Sequence, residues 1–192
     1  MRGPTASCRA RFRIRRYAKD IAVSTTFDSM GLNKALLQAL ASTGYVKPTP
    51  IQEKAIPDVM AGKDLLGIAQ TGTGKTAAFA LPILHRLAEN RTPPAPRTTR
   101  ALILSPTREL ATQIGDSFKA YGAHLGFRVA VIFGGVKYGA QERALQQGLD
   151  ILVAAPGRLL DHIQQKTLDL SSTEIFVLDE ADQMLDLGFI KP

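Results

Sequence analysis

A chain of 192 residues with 45% hydrophobic content suits one domain that fills its own core. Its lone cysteine, Cys8, excludes an intrachain disulfide framework, and no run nears the roughly 18 apolar residues that span a bilayer, so a soluble, reducing, cytoplasmic setting without membrane contact is expected. The net charge of +7 is unevenly placed: residues 1–20 carry seven basic groups and one acid, whereas residues 21–192 carry 17 basic and 16 acidic groups. The basic signal belongs to the segment 1–26, which has no helical stripe and no secretory apolar core. It reads as a disordered, solvated extension, with a polyanion-attracting arm and an organellar transit segment as the alternatives.

From residue 27 onward, helical stripes alternate with short apolar runs, the rhythm of an α/β domain with a parallel sheet covered by helices. Leu32, Leu36, Leu37 and Leu40 make one stripe, which ends near Gly44. Ile51 to Met60 predicts a second helix. Asp64 to Ile68 predicts a buried strand that feeds a glycine-rich loop, and Thr76 to Leu87 a helix perturbed by Pro82. Residues 91–100, with three prolines, predict a surface connection. Strands are predicted at Ala101 to Leu104, Val129 to Phe133, Ile151 to Ala154 and Ile175 to Leu178, with helices around 107–121, 137–147 and 157–165.

Two segments carry chemistry. Ala69-Gln70-Thr71-Gly72-Thr73-Gly74-Lys75-Thr76 is a glycine-rich turn before a helix, where backbone N–H groups and the positive helix end favour phosphate. Lys75 suits the terminal phosphates and Thr76 a magnesium ion. The generic motif has glycine where this chain has Ala69, yet Gly72, Gly74, Lys75 and Thr76 keep the groups that act. Val177-Leu178-Asp179-Glu180-Ala181-Asp182 places Asp179 at the end of an apolar strand. There Asp179 suits the Mg2+ shell and Glu180 suits a general base for water. Taken alone, the acidic pair would read equally well as a cap for the next helix.

With both segments present, the chain resembles the first motor domain of the DEAD-box ATP-dependent RNA helicases, closest in pattern to the bacterial RhlE-like group. The likeness covers about residues 27–190, and the acidic run spells the family name. It implies a three-layer RecA-like P-loop NTPase domain with a mostly parallel central sheet, using ATP and Mg2+. By the same likeness, Gln52 in Gly44-Tyr45-Val46-Lys47-Pro48-Thr49-Pro50-Ile51-Gln52 contacts the Hoogsteen edge of adenine and Phe27 packs on its ring. On pattern alone, Phe27 reads as core and Gln52 as a surface helix residue. Nucleotide-site residues are then Phe27, Gln52, Thr71, Gly72, Thr73, Gly74, Lys75 and Thr76, with Lys75, Asp179 and Glu180 catalytic and Asp182 coupling to a second domain.

Three further matches resemble the RNA-facing elements of the family: Pro106-Thr107-Arg108-Glu109-Leu110, Gly134-Gly135 and Ala155-Pro156-Gly157-Arg158. Candidate RNA contacts are Thr107, Arg108, Gly134, Gly135, Pro156, Gly157 and Arg158, with structural ion pairs as the other reading of the two arginines. Ala155 departs from the family's usual threonine. The expected partner is single-stranded or duplex RNA, gripped by its backbone without sequence preference. The family motor has two RecA-like domains, so residues 27–192 are expected to be an incomplete first domain, monomeric, that binds ATP weakly, hydrolyses little and separates no duplex. In the family fold a strand lies between the phosphate-loop strand and the strand ending at Asp179, so a gap in the sheet is expected. An RNA-independent P-loop ATPase and a catalytically inactive RNA-binding module are the competing classes.

Overall fold

The computed structural model describes residues 26–70 and 72–189. The expectations for the segment 1–26, Thr26 excepted, and for Thr71 lie outside the described residues. Four runs rich in Ile, Val and Leu form strands β1 (Thr99–Leu104), β2 (Val129–Ile132), β3 (Leu149–Ala154) and β4 (Ile175–Leu178). All pairings are parallel, in the order β2-β3-β1-β4. Parallel neighbours need crossovers, and α4 (Arg108–Tyr121), α5 (Tyr138–Gln146) and α6 (Pro156–Gln164) supply them.

Both faces of the sheet are covered. Ile103 and Val153 join one apolar cluster with Leu36 of α1 (Lys34–Ser42), Leu81 of α3 (Lys75–Glu89) and Phe118 of α4. Their neighbours Leu102 and Leu152 point the other way, into a second cluster with Leu145 and Leu159 from α5 and α6. This two-sided burial makes the three layers, since successive strand residues face opposite sides. The remaining helices are α2 (Pro50–Met60), which packs against α3, and the short α7 (Ala181–Asp186).

Three expectations need correction. Pro82 does not disturb α3, which runs unbroken over 15 residues because Leu81, Ile83 and Leu84 around it are wholly buried. Packing of that face outweighs the missing N–H. The connection 91–100 ends earlier than predicted, with Thr98, Thr99 and Arg100 already buried at the start of β1.

The third correction bears on the site. Asp64 to Ile68 is neither strand nor buried; Leu66 and Ile68 are 73% and 87% exposed. Among the described residues β4 has no partner on the side away from β1, and its Phe176 and Leu178 are also exposed. A cavity of about 540 Å³ opens between the two segments, lined by Leu65, Leu66, Phe176 and Leu178 and reaching Lys75 and Asp179. An apolar run becomes a strand only when a ladder is there to pair with it.

Candidate functional site

Gly74 caps α3 with φ +90°, a left-handed conformation that favours glycine. A second reason for glycine is that a Cβ at this position would collide with the Gln52 side-chain nitrogen. Gln52 is only 1% exposed, which corrects the pattern-based reading of a surface residue. Its Oε1 accepts from the Thr49 amide at 2.9 Å, and its Nε2 donates to the Gly74 carbonyl at 3.1 Å. The start of α2 is thereby tied to the phosphate loop. Within the loop the Thr73 hydroxyl donates to the Gln70 carbonyl at 2.7 Å, while Gly72 stays exposed.

The acidic run reaches the same place from the sheet. Pairing of β4 with β1 continues into the Asp179 amide, which donates to the Leu104 carbonyl at 2.9 Å, so Asp179 stands at the carboxyl end of the strand. Glu180 then turns the chain into α7 with φ 50° and ψ 50°, a conformation that costs a non-glycine residue about 1 kcal/mol or more. The turn delivers its carboxylate to the helix opposite: Lys75 Nζ lies 2.8 Å from Glu180 Oε1. The hydrogen bond to Glu180 raises the Lys75 ammonium above its usual range against the opposing effect of burial, with Asp179 and exposed Asp182 adding to the field. Burial pushes the Asp179 carboxyl up, the Glu180 charge adds to this, and Lys75 pulls it back in part.

A carboxyl held above its ordinary range beside a second acid is an environment a cation would relieve. No group of three or more His, Cys, Asp or Glu among the described residues forms a metal cage. The Thr76 hydroxyl and the Asp179 carboxylate are hard oxygen donors, the kind a magnesium ion takes when water and phosphate are its other ligands.

Phe27 is 3% exposed, in agreement with its pattern-based reading as core. Its ring meets Tyr45 edge-on at 6.4 Å, and Tyr45 in turn meets Tyr121 at 5.7 Å. The two phenol oxygens are 2.8 Å apart. Burial first, and then the bond with Tyr45, push the Tyr121 phenol above its ordinary range.

The remaining predicted residues gather around the carboxyl ends of β1, β2 and β3. Thr107 caps α4 by accepting from the Leu110 amide at 3.3 Å. Arg108 is largely exposed, paired with Glu109 at 3.1 Å and lying 5.4 Å over the Phe133 ring. Gly134 and Gly135 are exposed at the turn after β2, Gly135 with φ +82°. Pro156 is buried at the first position of α6 and Gly157 is exposed beside it. Arg158 differs from Arg108 in being 9% exposed, with both Nη atoms donating to the Val136 carbonyl at 3.3 Å.

Residues 49–191 match the DEAD/DEAH box helicase family. The chain belongs to that family. It is 49% identical over 170 residues to an ATP-dependent RNA helicase DeaD of Buchnera aphidicola, covering 88% of this chain and 28% of the relative. It is 51% identical over 170 residues to an ATP-dependent RNA helicase RhlB of Xanthomonas oryzae, covering 86% and 29%. Among solved structures it resembles a DEAD box protein from Methanococcus jannaschii (TM-score 0.78, 40% identity, 86% of this chain and 44% of that one). It also resembles the RNA-helicase Prp28 from Chaetomium thermophilum bound to ADP (TM-score 0.80, 42% identity, 90% and 42%). The chain thus spans between a quarter and a third of the length of these curated relatives.

In this DEAD/DEAH box chain, sequence reasoning passed over four residues. Tyr45, Tyr121 and Tyr138 are isolated aromatics with no periodic signal, and their ring contacts exist only in the folded chain. Arg100 is 3% exposed and bonds both oxygens of Glu174, at 2.6 and 3.3 Å, locking β1 to the start of β4. A buried arginine in a segment that looked like surface left no trace in the pattern. Among the described residues no helix is long and apolar enough to cross a membrane.

Proposed function

We propose that this chain carries the ATP-binding part of an ATP-dependent RNA-remodelling motor. The observation that carries this reading is the 2.8 Å contact between Lys75 and Glu180, which joins the phosphate loop to the acidic run across 105 residues of sequence. The backbone of Thr71, Gly72, Thr73 and Gly74 cradles the phosphates and Lys75 reaches the terminal ones. Thr76 and Asp179 hold Mg2+, which supplies charge neutralisation at the phosphate oxygens. Phosphate entry draws Lys75 away from Glu180 and frees that carboxylate to orient and deprotonate water. Adenine sits by Gln52, with exposed Tyr45 as the outer ring and buried Phe27 supporting it from behind.

RNA lies along Thr107, Arg108, Gly134, Gly135, Pro156, Gly157 and Arg158, gripped through phosphate and sugar. Support comes from their placement at one end of the sheet, after the carboxyl ends of β1, β2 and β3. A second RecA-like domain completes the cleft, Asp182 couples to it, and a further strand of the longer protein occupies the space between Asp64–Ile68 and β4. The exposed apolar residues on both sides of that space support this last point.

ATPase activity of the full-length protein with and without single-stranded RNA tests the reading, with Glu180→Gln alongside. RNA-stimulated turnover that falls at least about 10²-fold in the variant is expected. Turnover indifferent to RNA contradicts the helicase assignment, and an active variant removes Glu180 as base.

A further inference from the structure

The turn from Phe133 to Tyr138 has an arginine over the aromatic ring at each end: Arg108 lies 5.4 Å over Phe133, and Arg158 lies 4.3 Å over Tyr138. Each also faces a carboxylate through Nε, but the two differ in exposure and in backbone contacts. Arg108 has a side chain 60% exposed and its bonded partner is the equally exposed Glu109, so its charge faces solvent. Arg158 has a side chain 8% exposed, both Nη atoms on the Val136 carbonyl, and Asp161 Oδ2 3.8 Å from Nε. Its ring partner is held in turn, since Tyr138 packs on His162 of α6 with ring centroids 4.8 Å apart.

The turn is pinned from the other side as well, where Gln141 Nε2 donates to the Phe133 carbonyl at 3.2 Å. Both tethers grip backbone carbonyls flanking Gly134 and Gly135. Two adjacent glycines have the largest backbone freedom to lose, so a grip on RNA through their backbone depends on what holds the turn.

We infer that Arg108 and Arg158 divide the work: Arg108 meets RNA phosphate, whereas Arg158 is a positioning residue that acts through the Gly134-Gly135 turn, with Tyr138 as the ring that keeps it there. The inference rests on the proposed RNA face and refines it. A guanidinium enclosed by a carbonyl, an aromatic face and a carboxylate would have to leave all three to reach a phosphate. The exposed one leaves a solvated ion pair and a ring contact that is open to solvent on its other side, with no backbone carbonyl to give up.

Counterion release separates the two roles. A lost phosphate contact on a single strand lowers the slope of log affinity against log salt by about 0.7, whereas a lost tether weakens binding equally at every salt concentration. The measurement is binding of a labelled single-stranded RNA by the full-length protein, with Mg2+ and a non-hydrolysable ATP analogue, across a KCl series. Arg108→Gln is expected to flatten the slope by about 0.7. Arg158→Gln and Tyr138→Leu are expected to weaken binding about fivefold with the wild-type slope, Tyr138→Phe to restore it, and the double variant to lose no more than either single one. Nucleotide affinity measured without RNA should stay unchanged throughout.

A flattened slope in Arg158→Gln overturns the inference and leaves the RNA face standing. Wild-type protein that binds no RNA overturns the RNA face, and the inference with it. Should Arg158→Gln not fold, Tyr138→Leu carries the same test: a slope that falls with it shows that Arg158 had been touching phosphate.

Discussion

At the scale of single residues, the site is held by charges that oppose one another. Asp179 is costly in its ionised form, because burial and the neighbouring Glu180 charge raise its carboxyl and Lys75, bonded to Glu180, offsets this only in part. The sign follows from linkage: the folded chain binds this proton more readily than the unfolded one. Stability from the protonated form is complete below the ordinary value of 3.8 and is lost as pH rises through the raised folded value. Asp179→Asn should therefore melt at a higher temperature than wild type at pH 7 without nucleotide, with the difference closing as pH falls towards 4. A variant that melts lower at neutral pH contradicts this account of the charge. Lys75 is raised too, so its sign is the same: while Glu180 is ionised, the ammonium contributes stability that is present below the ordinary value of 10.5 and is lost as pH rises through the raised folded one.

At the scale of elements, what could be read from sequence was whatever depends on local pattern. The stripe of Leu36 and Leu40 gave α1, the segment from Ile51 to Met60 gave α2, and the apolar runs at 101–104, 129–133, 151–154 and 175–178 gave β1 to β4 within two residues. The motifs were legible too, since Lys75 and Glu180 were expected at one site and lie in contact. What escaped depends on partners distant in sequence. Asp64 to Ile68 has strand composition but no ladder beside it, Gln52 is buried because the phosphate loop folds over it, and nothing in the words Thr-Arg-Glu and Pro-Gly-Arg separates an exposed arginine from an enclosed one. Ala155 is a local feature with a local consequence. It occupies the cap of α6 in an extended conformation and offers no side-chain bond to the helix amides. Ala155→Thr should stabilise the chain by about 0.5–1 kcal/mol, seen as a melting temperature about 2 °C higher. An unchanged or lower midpoint would mean that the cap geometry does not accept the hydroxyl.

For the whole molecule, the sheet is well sealed on the β2-β3 side and open beyond β4. Leu65, Leu66, Ile68, Phe176 and Leu178 expose apolar surface on the two sides of this opening. A parallel strand with its crossover needs roughly 20–30 residues. If such a strand of the longer protein fills the space, a chain extended by that length should unfold more cooperatively and be more stable by about 5 kcal/mol in denaturant titration. Equal stability and cooperativity would contradict the filling strand while leaving the nucleotide site intact. That site is the centre of the account, and calorimetric titration of ATP into the 192-residue chain, in Mg2+ and in EDTA, tests it most directly. Weak binding that strengthens with Mg2+, disappears in Lys75→Ala and loses its Mg2+ dependence in Asp179→Asn is predicted. Affinity unchanged by both substitutions would mean that the phosphate loop and the acidic run, although in contact, do not together hold a nucleotide.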